Sequence, residues 1–349
     1  MSTDLEFAPW RRLEELADAG DVATLREEAT ALGMRETARA LARLDSETQS
    51  RILTLFDPEN AAELVQEISD AQATELMSRL SPETAAPILD EMDSNEAADL
   101  LSALEPEHAA EILAVMDPES AQDARLLTGY AGDEAGGLMI TEYLAYPENY
   151  ITRQVIDDFR EHTEEYRGYP VQYTYVVDTQ GRLVGVLPLR DLLLSFGTTP
   201  ISSIMIPNPL RVNDHDDLDG LAEFFEEHNF LAAPVTDAAG LLKGVITRDD
   251  VEEAQGQRAE SHYLKSQGIV GGDELRSMPT LKRARRRLSW LCANIGLTIL
   301  AASVIAFYRE TLAAVIALAV FLPVISGLSG NAGIQAVAVS MRELTLGLI

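Results

Sequence analysis

The sequence predicts a multidomain chain: an all-α superhelical solenoid of short helices, then a duplicated α/β module, then transmembrane α-helices. Three observations predict it. Apolar residues recur every twelve positions between residues 44 and 116, a stretch near 175–192 reappears 59 positions later, and only four charged residues follow position 287.

The solenoid rests on Leu44, Phe56, Ile68, Leu80, Met92, Leu104 and Met116, spaced by twelve. Four repeats continue as helix starts: Asp57-Pro58-Glu59, Ser81-Pro82-Glu83, Glu105-Pro106-Glu107 and Asp117-Pro118-Glu119. In each, an oxygen-bearing residue precedes Pro at the first helical position, and Glu lies beside the positive end of the helix dipole. An apolar stripe such as Ala61, Leu64, Val65 and Ile68 follows. Helices of about two turns are too short to stand alone. Neighbours must therefore bury one another, with repeats across about 30–128 in a domain expected at 1–130. A coiled coil would need a 3.5-residue period without Pro, so it is excluded.

The α/β module occurs at 171–192 and again at 230–251. Each copy reads as strand, Asp/Gly turn, strand and helix start, through Asp178 and Gly181 in one and Asp237 and Gly240 in the other. Gly137-Leu-Met139 and Ser203-Ile-Met205 open the two units, and an amphipathic helix such as Leu218–Glu227 lies inside the second. These copies resemble paired cystathionine-β-synthase (CBS) domains, expected at 131–197 and 198–254. The resemblance implies ligand sensing rather than catalysis. CBS domains that bind adenine nucleotides use a Gly-x-x-Thr-x-x-Asp run, with Thr near phosphate and Asp on the ribose. Gly244, Thr247 and Asp250 match it, which makes ATP the implied nucleotide, while helix capping accounts equally well for Thr247 and Asp250. The first copy has Pro188 at the Thr position and is expected to bind weakly or not at all.

From Leu288 to Tyr308 run 21 uncharged residues, long enough for roughly 30 Å of hydrocarbon. Arg309-Glu310 interrupts, and Thr311 to Met341 gives 31 more. Two membrane helices are thus expected within 286–349, after a connector helix at 255–285. The cluster Lys282, Arg283, Arg285, Arg286 and Arg287 precedes the first span. By the positive-inside rule it keeps the preceding domains in the cytoplasm of a multi-pass plasma-membrane protein in the lipid bilayer. The second segment is expected to be broken by Pro323, Gly327, Gly330 and Gly333, and it carries Ser326, Ser329, Asn331 and Gln335. Such residues line a polar pathway or allow close helix packing. Oxygen donors suit a hard cation such as Mg²⁺, and also Mn²⁺ or Ca²⁺.

Charge bounds the function. Residues 1–280 hold 55 acidic and 20 basic side chains, a net of −35, and residues 281–349 carry a net of +5. An acidic body makes nucleic acid an unsuitable partner. Only three of the 27 basic residues are Lys, a composition that also fits adaptation to high salt. Cys292 alone can form neither an internal disulfide nor a multi-Cys zinc site. The first residues show no basic-then-apolar leader. Five scattered His and no nucleophile–base pair argue against an enzyme.

Three stretches give the order of parts its meaning: Arg125-Leu-Leu127-Thr-Gly-Tyr130 followed by Ala135-Gly-Gly-Leu-Met139, then Arg287-Leu-Ser-Trp290-Leu-Cys-Ala-Asn294, then Pro323 through Gln335. They resemble the solenoid-to-CBS junction, the first membrane helix and the pore helix of MgtE-type magnesium transporters. The resemblance implies a homodimeric Mg²⁺ channel whose cytoplasmic domains sense Mg²⁺ through bridged carboxylates. It places sensing at Asp217, Asp219 and Asp250, and the pore at Gly330, Asn331 and Gln335. Two departures stand out. The family's connector is rich in Asp and Glu, whereas Gly256 to His262 holds one carboxylate, with His262 a pH-sensitive candidate. The family has five membrane helices and two are expected here, so the expectation is a channel subunit that is either shortened or completed by a separately encoded membrane subunit. The competing readings are a membrane-tethered CBS sensor that does not conduct, and a structural scaffold.

Overall fold

Short apolar stripes bounded by Pro and Asp fold as ten helices over residues 9–127: α1 (Pro9–Ala19), α2 (Val22–Leu32), α3 (Met34–Leu41), α4 (Ser46–Leu55), α5 (Pro58–Gln66), α6 (Asp70–Met77), α7 (Pro82–Asp90), α8 (Ser94–Ala103), α9 (Pro106–Leu113) and α10 (Pro118–Leu127). This computed structural model describes residues 9–163, 165–167, 169, 173–266, 280–315 and 320–345. They fall into two compact units, one within 9–266 and one within 280–345.

From α3 onward the helices pack against the helix two further on, α3 on α5, α5 on α7, α7 on α9, and in the second row α4 on α6, α6 on α8, α8 on α10. The twelve-residue residues sit where each helix ends, and all are buried except Ile68, which packs at the edge of the same core. Leu64, Ile88 and Ile112 are at most 2% exposed, so truncating any of them to Ala should cost about 2–5 kcal/mol. The first two helices precede the repeat and join the same core through Leu13, Leu16 and Leu25. The expected caps divide. Asp57 accepts from the Asn60 amide at 3.1 Å and Asp117 from the Glu119 amide at 2.9 Å, whereas Ser81 and Glu105 make no such bond. Glu105 carries one methylene more than Asp, too long for a tight return.

After α11 (Ala135–Leu138) come β1 (Ala145–Pro147), α12 (Thr152–Glu161), β2 (Tyr173–Val177), β3 (Leu183–Pro188), α13 (Leu189–Leu194), β4 (Ile206–Pro207), β5 (Val212–Asn213), α14 (Leu218–Glu227), β6 (Ala232–Thr236), β7 (Leu242–Thr247) and α15 (Arg248–Ser266). The sheets order β1-β2-β3-β4 and β5-β6-β7, and both hairpins carry a bulge at the same relative place. Gly181 and Gly240 take φ of 78° and 82° in the hairpin turns, a conformation only Gly adopts cheaply. Asp178 and Asp237 each accept two turn amides, and Leu183 and Leu242 bond across to Gly240 and Gly181. The copies also exchange leading segments, one as a strand and the other as a single bridge. Ile206, which opens the second copy, pairs with Val186 of the first, and Ile140, which opens the first, pairs with Val245 of the second.

The second unit holds α16 (Thr280–Phe307), α17 (Arg309–Ala314) and α18 (Leu322–Thr345). Among the described residues, Arg287–Phe307 is the one helical stretch long and apolar enough to cross a membrane. Thr298 and Ser303 hydroxyls bond back to the carbonyls of Asn294 and Ile299 at 2.8 Å, so neither is left bare. The expected second segment divides into α17 and α18, with Val315 outside the helix and 316–319 outside the described residues. The expected break at Pro323, Gly327, Gly330 and Gly333 does not occur, because α18 runs through all four. Pro323 is its second residue, where an N–H has no helical partner in any case. The glycines weaken a helix without ending it.

Candidate functional site

The solenoid and the CBS pair meet along a seam of carboxylates. Asp93 and Glu96 stand at the start of α8, Glu142 follows α11, and Asp250 and Glu253 lie in the first turns of α15. Partial burial pushes Glu96 up to about 7, against the hydrogen bond it accepts from Gln66 at 2.7 Å, and the charges of Asp93, Glu253 and Asp250 add to the rise. Asp250 is raised by burial, opposed by its bonds to Thr247 and aided by Asp93 and Glu253. Burial also raises Glu142, which two bonds from Ser94 oppose. Among the described residues none of these five carboxylates is ion-paired with Lys, Arg or His. Among those same residues, no three Asp, Glu, His or Cys side chains converge as a metal shell. The seam thus concentrates negative charge that a cation holding its own waters could bridge.

The structure gives the expected sensor residues three different local duties. Asp217 caps α14, accepting from the Gly220 amide at 2.9 Å. Asp219 pairs with the Arg258 guanidinium of α15. Asp250 and Thr247 form a reciprocal cap: the Thr247 amide and hydroxyl donate to Asp250 at 3.1 and 2.6 Å, and the Asp250 amide donates to the Thr247 hydroxyl at 3.2 Å. That bonding makes the Thr–Asp spacing a helix start. Gly244 has its own packing reason, since a Cβ there would stand 2.7 Å from the Ile140 carbonyl oxygen. Gly244 and Thr247 nevertheless lie on β7 and Asp250 in the first turn of the helix that follows it, whereas Asp217 caps α14 and Asp219 lies in it. At the equivalent helix start of the first copy, Pro188 makes no side-chain cap.

Asp93, Glu96, Glu142 and Glu253 were not singled out by the sequence, because acidic residues are everywhere in this chain and only the tertiary fold selects these. Arg258 was equally hidden, although it explains how a connector with few carboxylates is tied to the second module. Arg248 fixes the same junction by donating to the carbonyls of Phe225, His228 and Phe230 at 2.6, 2.8 and 3.1 Å. His262 lies exposed on α15. Gly330, Asn331 and Gln335 lie within α18, and Asn331 and Gln335, four apart, share one helix face.

Known proteins match both parts of the first unit. The model of the MgtE intracellular N domain covers residues 32–133, and that of the CBS domain covers 135–197 and 201–256. The chain is 34% identical over 227 residues to a magnesium transporter MgtE of Enterococcus faecalis, covering 65% of this chain and 49% of that protein. It is 30% identical over 221 residues to the MgtE of Bacillus subtilis, covering 63% and 48%. The chain thus spans about half the length of the curated relatives it matches. A crystal structure of the cytosolic domain of the Mg²⁺ channel MgtE in complex with ATP is 31% identical, with a TM-score of 0.63, covering 69% of this chain and 98% of that one. The soluble part of a magnesium transporter gives 27% identity and a TM-score of 0.62 over 72% and 98%. With solenoid, CBS pair and their order all matched, the chain belongs to the MgtE family.

Proposed function

We propose that this chain is a magnesium channel subunit of the plasma membrane whose cytoplasmic solenoid and CBS pair sense Mg²⁺ and gate the pore. The observation that carries the reading is the carboxylate seam between solenoid and CBS pair, which holds no Lys, Arg or His partner among the described residues. Opposed carboxylates repel, and a divalent ion bridging them directly or through its waters turns the repulsion into closure. Low Mg²⁺ then frees the solenoid and opens the pore. Of the sensor candidates, Asp250 lies in the seam, while Asp217 caps α14 and Asp219 pairs with Arg258.

Further parts of the proposal are a homodimer and boundaries near 130, 197, 254 and 285. Gly330, Asn331 and Gln335 would form the polar stretch of the ion path. ATP would bind at Gly244, Thr247 and Asp250, a reading supported by the ATP-bound relative, and Asp250 would then link nucleotide and cation. The test is uptake of Mg²⁺ by a host lacking its own magnesium transporters, with and without neighbouring membrane genes. Expected is uptake that Asn331→Ala abolishes while membrane insertion stays normal. Insertion without uptake in every combination would overturn conduction and leave a tethered sensor.

A further inference from the structure

The five residues from Leu138 to Glu142 touch both the solenoid and the strand that feeds the connector. Asp93 stands at the N-cap of α8, yet its side chain makes no cap bond. Glu142 takes over that place from the other domain, accepting from the Ser94 amide at 3.2 Å and the Ser94 hydroxyl at 2.9 Å. The Thr141 amide donates to the Ser94 hydroxyl at 2.9 Å, and the Thr141 hydroxyl donates to Asp123 of α10 at 2.8 Å. Asn95 adds a bond from its side-chain amide to the Leu138 carbonyl at 3.3 Å. A helix start has amides without helical partners, and an anionic acceptor there is favourable. When that acceptor belongs to another domain, the helix end is complete only while the domains are docked.

The other side of the segment is fixed to β7. Ile140 and Val245 exchange both backbone bonds, at 2.8 and 2.9 Å. Met139 and Ile140 press so closely on Gly244 that any side chain there would strike them at 2.7 Å. Thr247, at the end of the same strand, caps α15. We infer that Leu138–Glu142 is the joint that couples the solenoid to β7 and the connector helix, with Glu142 the positioning residue that docks α8.

The first copy supplies an internal control. Gly185 occupies the place of Gly244, and a side chain there would strike Met205, which belongs to no solenoid contact described above. Hydrogen–deuterium exchange of the full chain in detergent, in magnesium-containing buffer, reads the first turn of α8 directly. Glu142→Ala should speed exchange at Ser94 to Ala97 by on the order of tenfold, as loss of a charged acceptor implies. Protection in β2 and β6 should persist, which shows that the modules remain folded. Gly244→Ala should speed the same α8 amides from the opposite side, whereas Gly185→Ala should not. Should the Ala variant fail to fold, Glu142→Gln keeps the shape, removes the charge and is read the same way. Unchanged α8 exchange in the Glu142 variants, or an equal effect from Gly185→Ala, would overturn the joint.

Discussion

A half-buried carboxylate pushed to about 7 makes its contact depend on pH. Glu96 binds a proton more tightly in the folded seam than at its ordinary value of 4.5. Its stability contribution is therefore full below pH 4.5 and is lost as pH rises through about 7. The loss should be on the order of 2 kcal/mol once partial exposure is allowed for. Denaturant titration of the full chain between pH 5 and about 8 should show this slope, and Glu96→Gln should flatten it. Thr247→Ala tests the reciprocal cap of α15: it should cost about 1 kcal/mol whether or not a nucleotide is bound. The Thr247–Asp250 pair was legible in the sequence because its partners are three residues apart. Glu96 was not, because its environment is assembled from α5, α8 and α15.

At the level of elements, local signals read well wherever the partner is close in sequence. The twelve-residue period located the helix ends, and the two Asp/Gly turns located the hairpins, since Asp178 and Asp237 bond to amides within four residues. Pro323 reads as a break in the sequence, whereas in the first turn of a helix it removes nothing. Pro323→Ala should accordingly leave the helical circular dichroism of the full chain in micelles unchanged, whereas a Pro placed at Gly333, mid-helix, should reduce it. The alternation of even and odd helix rows was not legible either. A period reports that each helix needs a neighbour, not which one.

For the whole molecule, the charge of −35 on residues 1–280 bears on every fold transition. Specific bridging and general screening separate by measurement. Millimolar MgCl2 should raise the melting temperature of the full chain by about 3 °C or more over NaCl of equal ionic strength, and Asp250→Asn should remove most of that difference. Equal shifts from both salts would assign the acidity to salt adaptation.

The exchange of leading segments between the two CBS copies reaches further than its few hydrogen bonds. Ile206 adds the edge strand to the sheet of the first copy, and Ile140 bridges the edge of the second. Neither copy therefore owns all of its own edge, and deleting one would strip the other of that pairing. A duplication locked in this way is inherited as a pair. Each copy is free to diverge at its helix start, as Pro188 and Thr247 do, without becoming dispensable to its twin.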